Sequence, residues 1–201
     1  LLFKTDTFTL PLPNRIFAIM SDNRAKIMTN VESTVVVALS GLVLGSLIGY
    51  LLAVFASLFK RWGSAGLGMV AAFNAIPIVA LAPVMTNLSK DFSDNASTRS
   101  MFAKIMVVTI VTIANMSFNS FRGMTDLKPF SEDLMKSYAA NRFVTLLKLR
   151  IPNSIPSIFT ALRVAVPASV ISALVSEYFA EYITGVGRQI RENIVLAQYP
   201  A

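Results

Sequence analysis

The chain has 201 residues, of which 54% are hydrophobic and 14% are charged, and its net charge is +7. An average soluble domain carries about 25% charged residues, so this composition excludes an ordinary soluble fold and favours a membrane protein. The positive charge then indicates basic loops at a membrane face rather than a nucleic-acid site. Without Cys or His, thiolate and imidazole metal sites, Cys nucleophiles and His general bases are also excluded.

Four apolar segments are candidates for crossing a hydrocarbon core, which takes about 20 residues of helix. They are residues 34–59, 66–88, 105–121 and 157–179. Their apolar runs are continuous rather than alternating, which favours helices over a β-barrel. The sequence therefore predicts an all-α, polytopic transmembrane helical bundle, with residues 1–201 forming a single transmembrane domain.

The first two apolar segments contain helix-shaping residues. Gly41, Gly45 and Gly49 recur every four residues, a pattern typical of close helix packing. We expect this packing to lie within the chain rather than between two copies. Pro77 and Pro83 lie in the second segment, where proline can kink or break a span that borders a cavity.

Polar residues in the apolar segments are candidates for lining a substrate path, because intramembrane polar groups are often functional. With the proline that can open such a path, the candidates are Asn74, Pro77, Asn115, Ser117 and Asn119. For each polar side chain the alternative is a hydrogen bond between helices, and for the proline it is an ordinary kink.

Residues 131–156 form a polar, basic run between two apolar segments. Apolar side chains recur there at helical spacing, which predicts an amphipathic helix able to seat one face in a groove of another protein. Pro152 and Pro156 are expected to end this helix. The alternative is a helix lying on lipid headgroups, with its basic residues near anionic lipid.

Two further features bear on orientation and on the outer surface. If the 131–156 loop is cytoplasmic, the 18 basic residues divide equally between the two sides, so number alone does not decide the orientation. The shorter length of the cytoplasmic loops favours this orientation. Glu177 and Glu181 would then share a helix face near the outer surface, where solvation or a partner contact is favoured over acid–base chemistry.

The 131–156 loop resembles the cytoplasmic ATPase-coupling loop of ABC importer permeases. In that family Glu-Ala-Ala is followed by three residues and Gly, with Ile and a Leu-Pro-like end further on. Here Asp133-Leu134-Met135 stands at Glu-Ala-Ala and Ala139 stands at the Gly. The residues assigned to ATPase coupling by this resemblance are Asp133, Leu134, Met135, Tyr138, Ala139, Ala140, Asn141, Arg142, Ile151 and Pro152.

The flanking sequence resembles the same family in order along the chain. Residues 76–83 are similar to its Ile-Pro…Ala-Pro signature, and residues 152–163 to its Pro-Ala-Ala-Leu-Pro…Leu-Arg stretch. Residues 177–179 and 185–187 are similar to its Glu-Phe and Gly-Leu-Gly elements, and residues 11–17 to the outer segment before its second span. The resemblance points to importers of nitrate, sulfonate, taurine and pyrimidine precursors.

This resemblance implies an architecture and a set of partners. The fold would be a type I permease core of six spans, with one further span before residue 1 and another after residue 201. Two permease chains, identical or homologous, would form a pore in the cell (plasma or inner) membrane, surrounded by lipid. Two ABC ATPase subunits would dock on the loops, and an extracytoplasmic solute-binding protein would deliver a small organic or anionic solute.

No catalytic residue, metal or cofactor is expected in this chain. It contains no Gly-x-x-x-x-Gly-Lys-Ser/Thr sequence, so ATP would be hydrolysed by a separate subunit. A membrane-embedded enzyme is disfavoured, because no catalytic constellation is present. The alternative function is a membrane scaffold or assembly protein that transports nothing.

Overall fold

A computed structural model describes residues 13–72, 75–180 and 183–196. Its elements are all helical in these residues, which confirms the all-α prediction. A 3-10 turn at Ser89–Asp91 follows α4, and a π turn at Leu146–Arg150 joins α7 to α8. The helices are α1 (Pro13–Asp22), α2 (Arg24–Leu58), α3 (Lys60–Ala72), α4 (Ile78–Leu88), α5 (Ala96–Thr125), α6 (Ser131–Ser137), α7 (Arg142–Thr145), α8 (Ile151–Phe179) and α9 (Val186–Val195).

Three helices within the described residues are long and apolar enough to cross a membrane. They are α2, α5 and the continuous run from Arg142 to Phe179 that contains α7, the π turn and α8. At 1.5 Å per residue α5 is about 45 Å long, which exceeds the roughly 30 Å hydrocarbon core. Each of the three covers one of the predicted spans to within one residue and begins well before it, because charged and polar residues continue the helices ahead of the apolar runs.

The closest helix contact joins α2 to α5 through small residues. A Cβ placed on Gly41 would lie 2.5 Å from the Cβ of Val108, and one placed on Gly49 would lie 2.9 Å from the Cβ of Met116. Gly45 lies between them and is buried. Residue numbers rise together along both helices, so α2 and α5 are parallel. The four-residue glycine repeat therefore serves packing within the chain, as predicted.

Helix α8 runs antiparallel to both of these helices. Near its C-terminus Glu177 accepts a hydrogen bond from Thr34, near the start of α2. The N-terminal part of α8 lies close to the end of α5, because a Cβ on Gly123 of α5 would lie 2.5 Å from the Cβ of Ser157 of α8. The bundle thus has one end formed by the last turns of α2 and α5 and the first turns of α8. We call this the loop end, since it carries the 131–156 loop.

The segment 66–88 differs from the single helix that we predicted. Helix α3 ends at Ala72 and α4 begins at Ile78, so the crossing is divided. Pro77 precedes α4 with φ −59° and ψ 131°, a conformation outside the helical region, and its ring disfavours helix in the residue before it. Because α2 and α5 are parallel, the chain between them must return along the bundle, and α3 and α4 make this return in two pieces.

Substitution of Gly45 tests the packing between α2 and α5. An added Cβ would lie 2.5 Å from the Cβ of Thr112 and 2.7 Å from the carbonyl oxygen of Thr109. Gly45→Ala is therefore expected to destabilise the fold by about 1–3 kcal/mol through overpacking. The measurement is the midpoint of thermal unfolding in detergent.

Gly66→Ala is the matched control for this substitution. A Cβ at Gly66 meets nothing within 4 Å, and alanine is the better helix former by about 1 kcal/mol. Its unfolding midpoint should equal or exceed that of the wild type. Equal midpoints for the two alanine variants would contradict the contact described for α2 and α5.

Candidate functional site

The 131–156 loop is a helix–turn–helix rather than the single amphipathic helix that we predicted. Helix α6 closes at Tyr138, and the chain then turns through Ala139, whose φ is +52°. The Ala139 N–H donates to the carbonyl of Lys136 (2.9 Å), and the Ala140 N–H donates to that of Met135 (3.0 Å). These two bonds and the left-handed residue form a Schellman motif, which ends a helix.

Ala139 thus occupies the left-handed position of the Schellman motif, where glycine is the usual residue. A left-handed conformation brings the Cβ of an L-residue close to the following carbonyl oxygen, and glycine has no Cβ. The resemblance already placed Ala139 at the glycine of the coupling motif. The structure supplies a conformational reason for glycine there.

The next helix begins immediately after this turn. The Asn141 side chain accepts a hydrogen bond from the N–H of Val144 (2.9 Å) and so caps the N-terminus of α7. Arg142 follows as an exposed residue. Helices α6 and α7 are therefore held at a fixed angle by two adjacent caps, the left-handed turn at Ala139 and the side chain of Asn141.

The outer face of this helix–turn–helix is apolar. Leu134, Tyr138 and Phe143 are 58%, 77% and 67% exposed. Between them, Asp133 accepts a hydrogen bond from Lys136 (2.9 Å), and this bond raises the pKa of the Lys136 ammonium. Large apolar side chains exposed together at the loop end of the bundle indicate a surface that another molecule covers.

The prediction that Pro152 and Pro156 end the loop helix is wrong. The helix continues from Arg142 to Phe179. In the π turn the Ile151 N–H donates to the carbonyl of Leu146, five residues back. This turn changes the backbone bonding pattern just before Pro152, where an α-helix would lose a hydrogen bond. Ile151 is half-buried and Pro152 is exposed.

The start of α8 is fixed to the end of α5. The Asn153 side-chain amide donates to the carbonyl oxygens of Gly123 (2.8 Å) and Asp126 (3.1 Å). These carbonyls belong to the last turn of α5, where helix carbonyls lack partners within the helix. The C-terminal end of the 131–156 loop is therefore joined to the end of α5.

The residues predicted for a substrate path are not all brought together. Asn119 donates to the carbonyl of Asn115 one turn earlier (2.8 Å), so these two half-buried side chains share a face of α5. Ser117 is buried and donates to its own helix at Ala114 (3.2 Å). Pro77 is exposed at the break in the return crossing. Asn74 lies outside the described residues.

At the opposite end of the bundle the structure corrects the interpretation of Glu177. This carboxylate is fully buried rather than solvated, and Lys104 of α5, equally buried, lies 3.4 Å away. It also accepts hydrogen bonds from Thr34 (2.9 Å) and from the Gly187 N–H (3.1 Å). Glu181, predicted to share its face, lies outside the described residues.

Lys104 is a structural residue that the sequence interpretation missed. Its ammonium donates to the hydroxyl of Ser33 (3.1 Å), to the carbonyl of Thr184 (2.8 Å) and to Glu177. The sequence could have indicated this pair, because Lys104 lies at the edge of the apolar segment 105–121 and Glu177 is the one glutamate inside the segment 157–179. Buried charges are stable only when paired and hydrogen-bonded, so the two were candidates for each other.

Two glycines after α8 make room for this ion pair. Gly185 has φ +133°, and a Cβ there would lie 2.1 Å from the carboxyl carbon of Glu177. A Cβ on Gly187 would lie 2.2 Å from the carbonyl oxygen of Leu174. The segments similar to the Glu-Phe and Gly-Leu-Gly elements, residues 177–179 and 185–187, are thus in contact with each other. This contact fixes the segment before α9 to α2, α5 and α8.

Long apolar helices, a divided return crossing and an exposed apolar loop at one end define a multi-span membrane protein. The described residues contain no group of three or more His, Cys, Asp or Glu able to hold a metal. The chain belongs to the family of binding-protein-dependent transport system inner membrane components, whose sequence model matches residues 41–201. This confirms the resemblance to ABC importer permeases.

Two curated relatives are similar over most of the chain. One is the formylaminopyrimidine transport permease protein ThiX of Halalkalibacterium halodurans, 27% identical over 172 residues. The other is a probable ABC transporter permease protein of Haemophilus influenzae, 23% identical over 171 residues. Each match covers 85% of this chain and 66% of the relative, so the chain spans just under two thirds of their length.

Replacement of Ala139 by glycine tests the left-handed turn. Ala139→Gly should increase the stability of the helix–turn–helix by about 1 kcal/mol, because it removes the Cβ penalty at φ +52°. The measurement is hydrogen exchange of the amides of α6. Ala140→Gly serves as the control, since it removes no such penalty and adds backbone freedom. Equal exchange rates in both variants would contradict the turn.

Removal of one buried charge tests the pair of Lys104 and Glu177. Glu177→Gln leaves an unpaired buried ammonium and is expected to cost about 3–5 kcal/mol. Adding Lys104→Met removes that charge and should recover most of the loss, which unfolding midpoints in detergent measure. A double variant no more stable than Glu177→Gln would show that the pair is not buried as described.

Proposed function

We propose that this chain is the permease subunit of an ATP-driven importer in the cell inner membrane, and that its 131–156 loop docks on an ABC ATPase subunit. The observation that carries the proposal is the exposed apolar face of Leu134, Tyr138 and Phe143 on the helix–turn–helix at the loop end of the bundle. An apolar helix face of this kind fits a groove of a partner protein. The family and both relatives support a transport role.

ATP hydrolysis must then be supplied by the partner subunit, because this chain contains no P-loop sequence. In the proposed arrangement the loop end is cytoplasmic and the end with the Lys104–Glu177 pair faces outward. ATP binding draws the ATPase subunits together, the loops move with them, and the spans shift between inward-open and outward-open states. A second permease chain completes the pore, and a solute-binding protein delivers substrate at the outer end.

For substrate we propose a small organic solute. The support is the similarity to one relative, the formylaminopyrimidine transport permease protein ThiX. The divided crossing at Pro77 and the polar face of Asn115 and Asn119 are the proposed parts of the path. Broken helices line cavities in membrane proteins because their free backbone groups need polar surroundings. Ser117, buried against its own helix, is a weaker candidate than the two asparagines.

A charge placed on the exposed apolar face tests docking. Tyr138→Asp changes a side chain that is 77% exposed, so the fold should tolerate it. An unpaired charge in a buried interface costs several kcal/mol, so the ATPase should no longer co-purify from detergent-solubilised membranes. Val195→Asp is the control, because it changes a 74% exposed side chain of α9 far from the loop.

Normal co-purification and uptake with Tyr138→Asp would overturn the docking assignment. The loop would then lie on lipid headgroups, as the alternative interpretation of the sequence has it. That outcome should be accompanied by tighter binding of the isolated loop peptide to anionic vesicles than to neutral ones.

A further inference from the structure

One guanidinium lies where three elements of the loop end meet. Arg150 is the last residue of the π turn that leads into α8. One of its terminal nitrogens, Nη2, donates to Glu132 Oε1 (3.0 Å), in the first turn of α6. The other, Nη1, donates to the backbone carbonyl of Ser57, in the last turn of α2. Arg150 is only 13% exposed.

The two bonds need the shape of arginine. Its planar fork presents separate N–H groups in fixed directions, whereas a lysine ammonium is a compact point charge. The Ser57 carbonyl lies at a helix C-terminus, where carbonyls lack helical partners and a positive charge is favourable. One side chain therefore caps α2 and holds α6 at the same time.

The position of α6 depends on few contacts besides this one. No residue of α6 is buried, so packing does not fix the helix against the bundle. The chain enters α6 through Phe130 with φ +61°, and leaves it through Ala139 with φ +52°. Glu132 lies one residue from Asp133 and two from Leu134, on the element that carries the proposed docking surface. Its bond to Arg150 is thus a charged link between that surface and the spans.

We infer that Arg150 is a positioning residue for energy coupling, which transmits movement of α6 to the ends of α2 and α8. This inference rests on the proposed function, since it assumes that an ATPase docks on α6. Without the link an ATPase can still bind the apolar face and hydrolyse ATP. Its movement would then tilt α6 alone and leave the spans where they are.

The test uses three variants, each purified in complex with its ATPase and assayed with its solute-binding protein. Arg150→Lys keeps the charge but loses the fork, and Glu132→Ala removes the acceptor on α6. Glu132→Gln retains an oxygen that can accept from Nη2 and should act as the conservative rescue. Lys148→Ala, an exposed basic residue in the same turn, is the control.

Three quantities are measured in proteoliposomes. They are ATPase co-purification, the kcat and KM of basal ATP hydrolysis, and the stimulation of hydrolysis by the binding protein with the ligand it retains from cells. Arg150→Lys and Glu132→Ala should leave the first two unchanged. They should lower the stimulation about tenfold or more, as loss of one charge-assisted hydrogen bond would. Glu132→Gln and Lys148→Ala should retain most of it.

Two results distinguish failure of the proposed function from failure of the inference about Arg150. If the wild-type chain co-purifies with no ATPase, the proposed function is wrong. If it does, and Arg150→Lys and Glu132→Ala are stimulated like the wild type, docking stands and the positioning role of Arg150 is wrong. Loss of co-purification or of basal hydrolysis in both variants would also overturn the inference, since the residue would then belong to the docking surface or the fold.

Discussion

The parallel contact between α2 and α5 is the constraint on which the rest of the bundle depends. Three glycines of α2 let the two backbones approach until no side chain fits between them. Two parallel helices that follow each other in the chain require a return crossing, which α3 and α4 provide. The same contact brings the start of α2 beside Lys104 and its end beside the loop, so the positions of both polar ends follow from it.

Helix α8 links these two polar ends. At one end Glu177 forms a buried ion pair that fixes the segment before α9, and at the other Asn153 and Arg150 fix the loop to α5 and α2. An isolated charge inside a bundle is costly, and Glu177 and Arg150 each have an oppositely charged partner. A long helix fixed at both ends moves as a body, which the proposed movement of the spans requires.

Much of this architecture could be predicted from the sequence, because the signals are local. The apolar runs indicated the long helices, the glycine repeat indicated their packing, and the spacing of apolar residues located the loop. The features that the sequence did not predict depend on contacts between residues distant in sequence, or on details of backbone conformation. The pair of Lys104 and Glu177 joins residues 73 positions apart. The left-handed turn at Ala139 and the π turn before Pro152 are decided by backbone geometry that residue type alone does not specify.

Photo-cross-linking from position 138 tests the central claim most directly. A photoreactive phenylalanine analogue replaces Tyr138, whose side chain is 77% exposed and sits on the proposed docking surface. Irradiation of intact membrane vesicles is predicted to attach this chain to an ABC ATPase subunit, identified by mass spectrometry. Adducts with lipid alone, obtained while the ATPase is present in the same vesicles, would contradict the account and place the loop in the headgroup region.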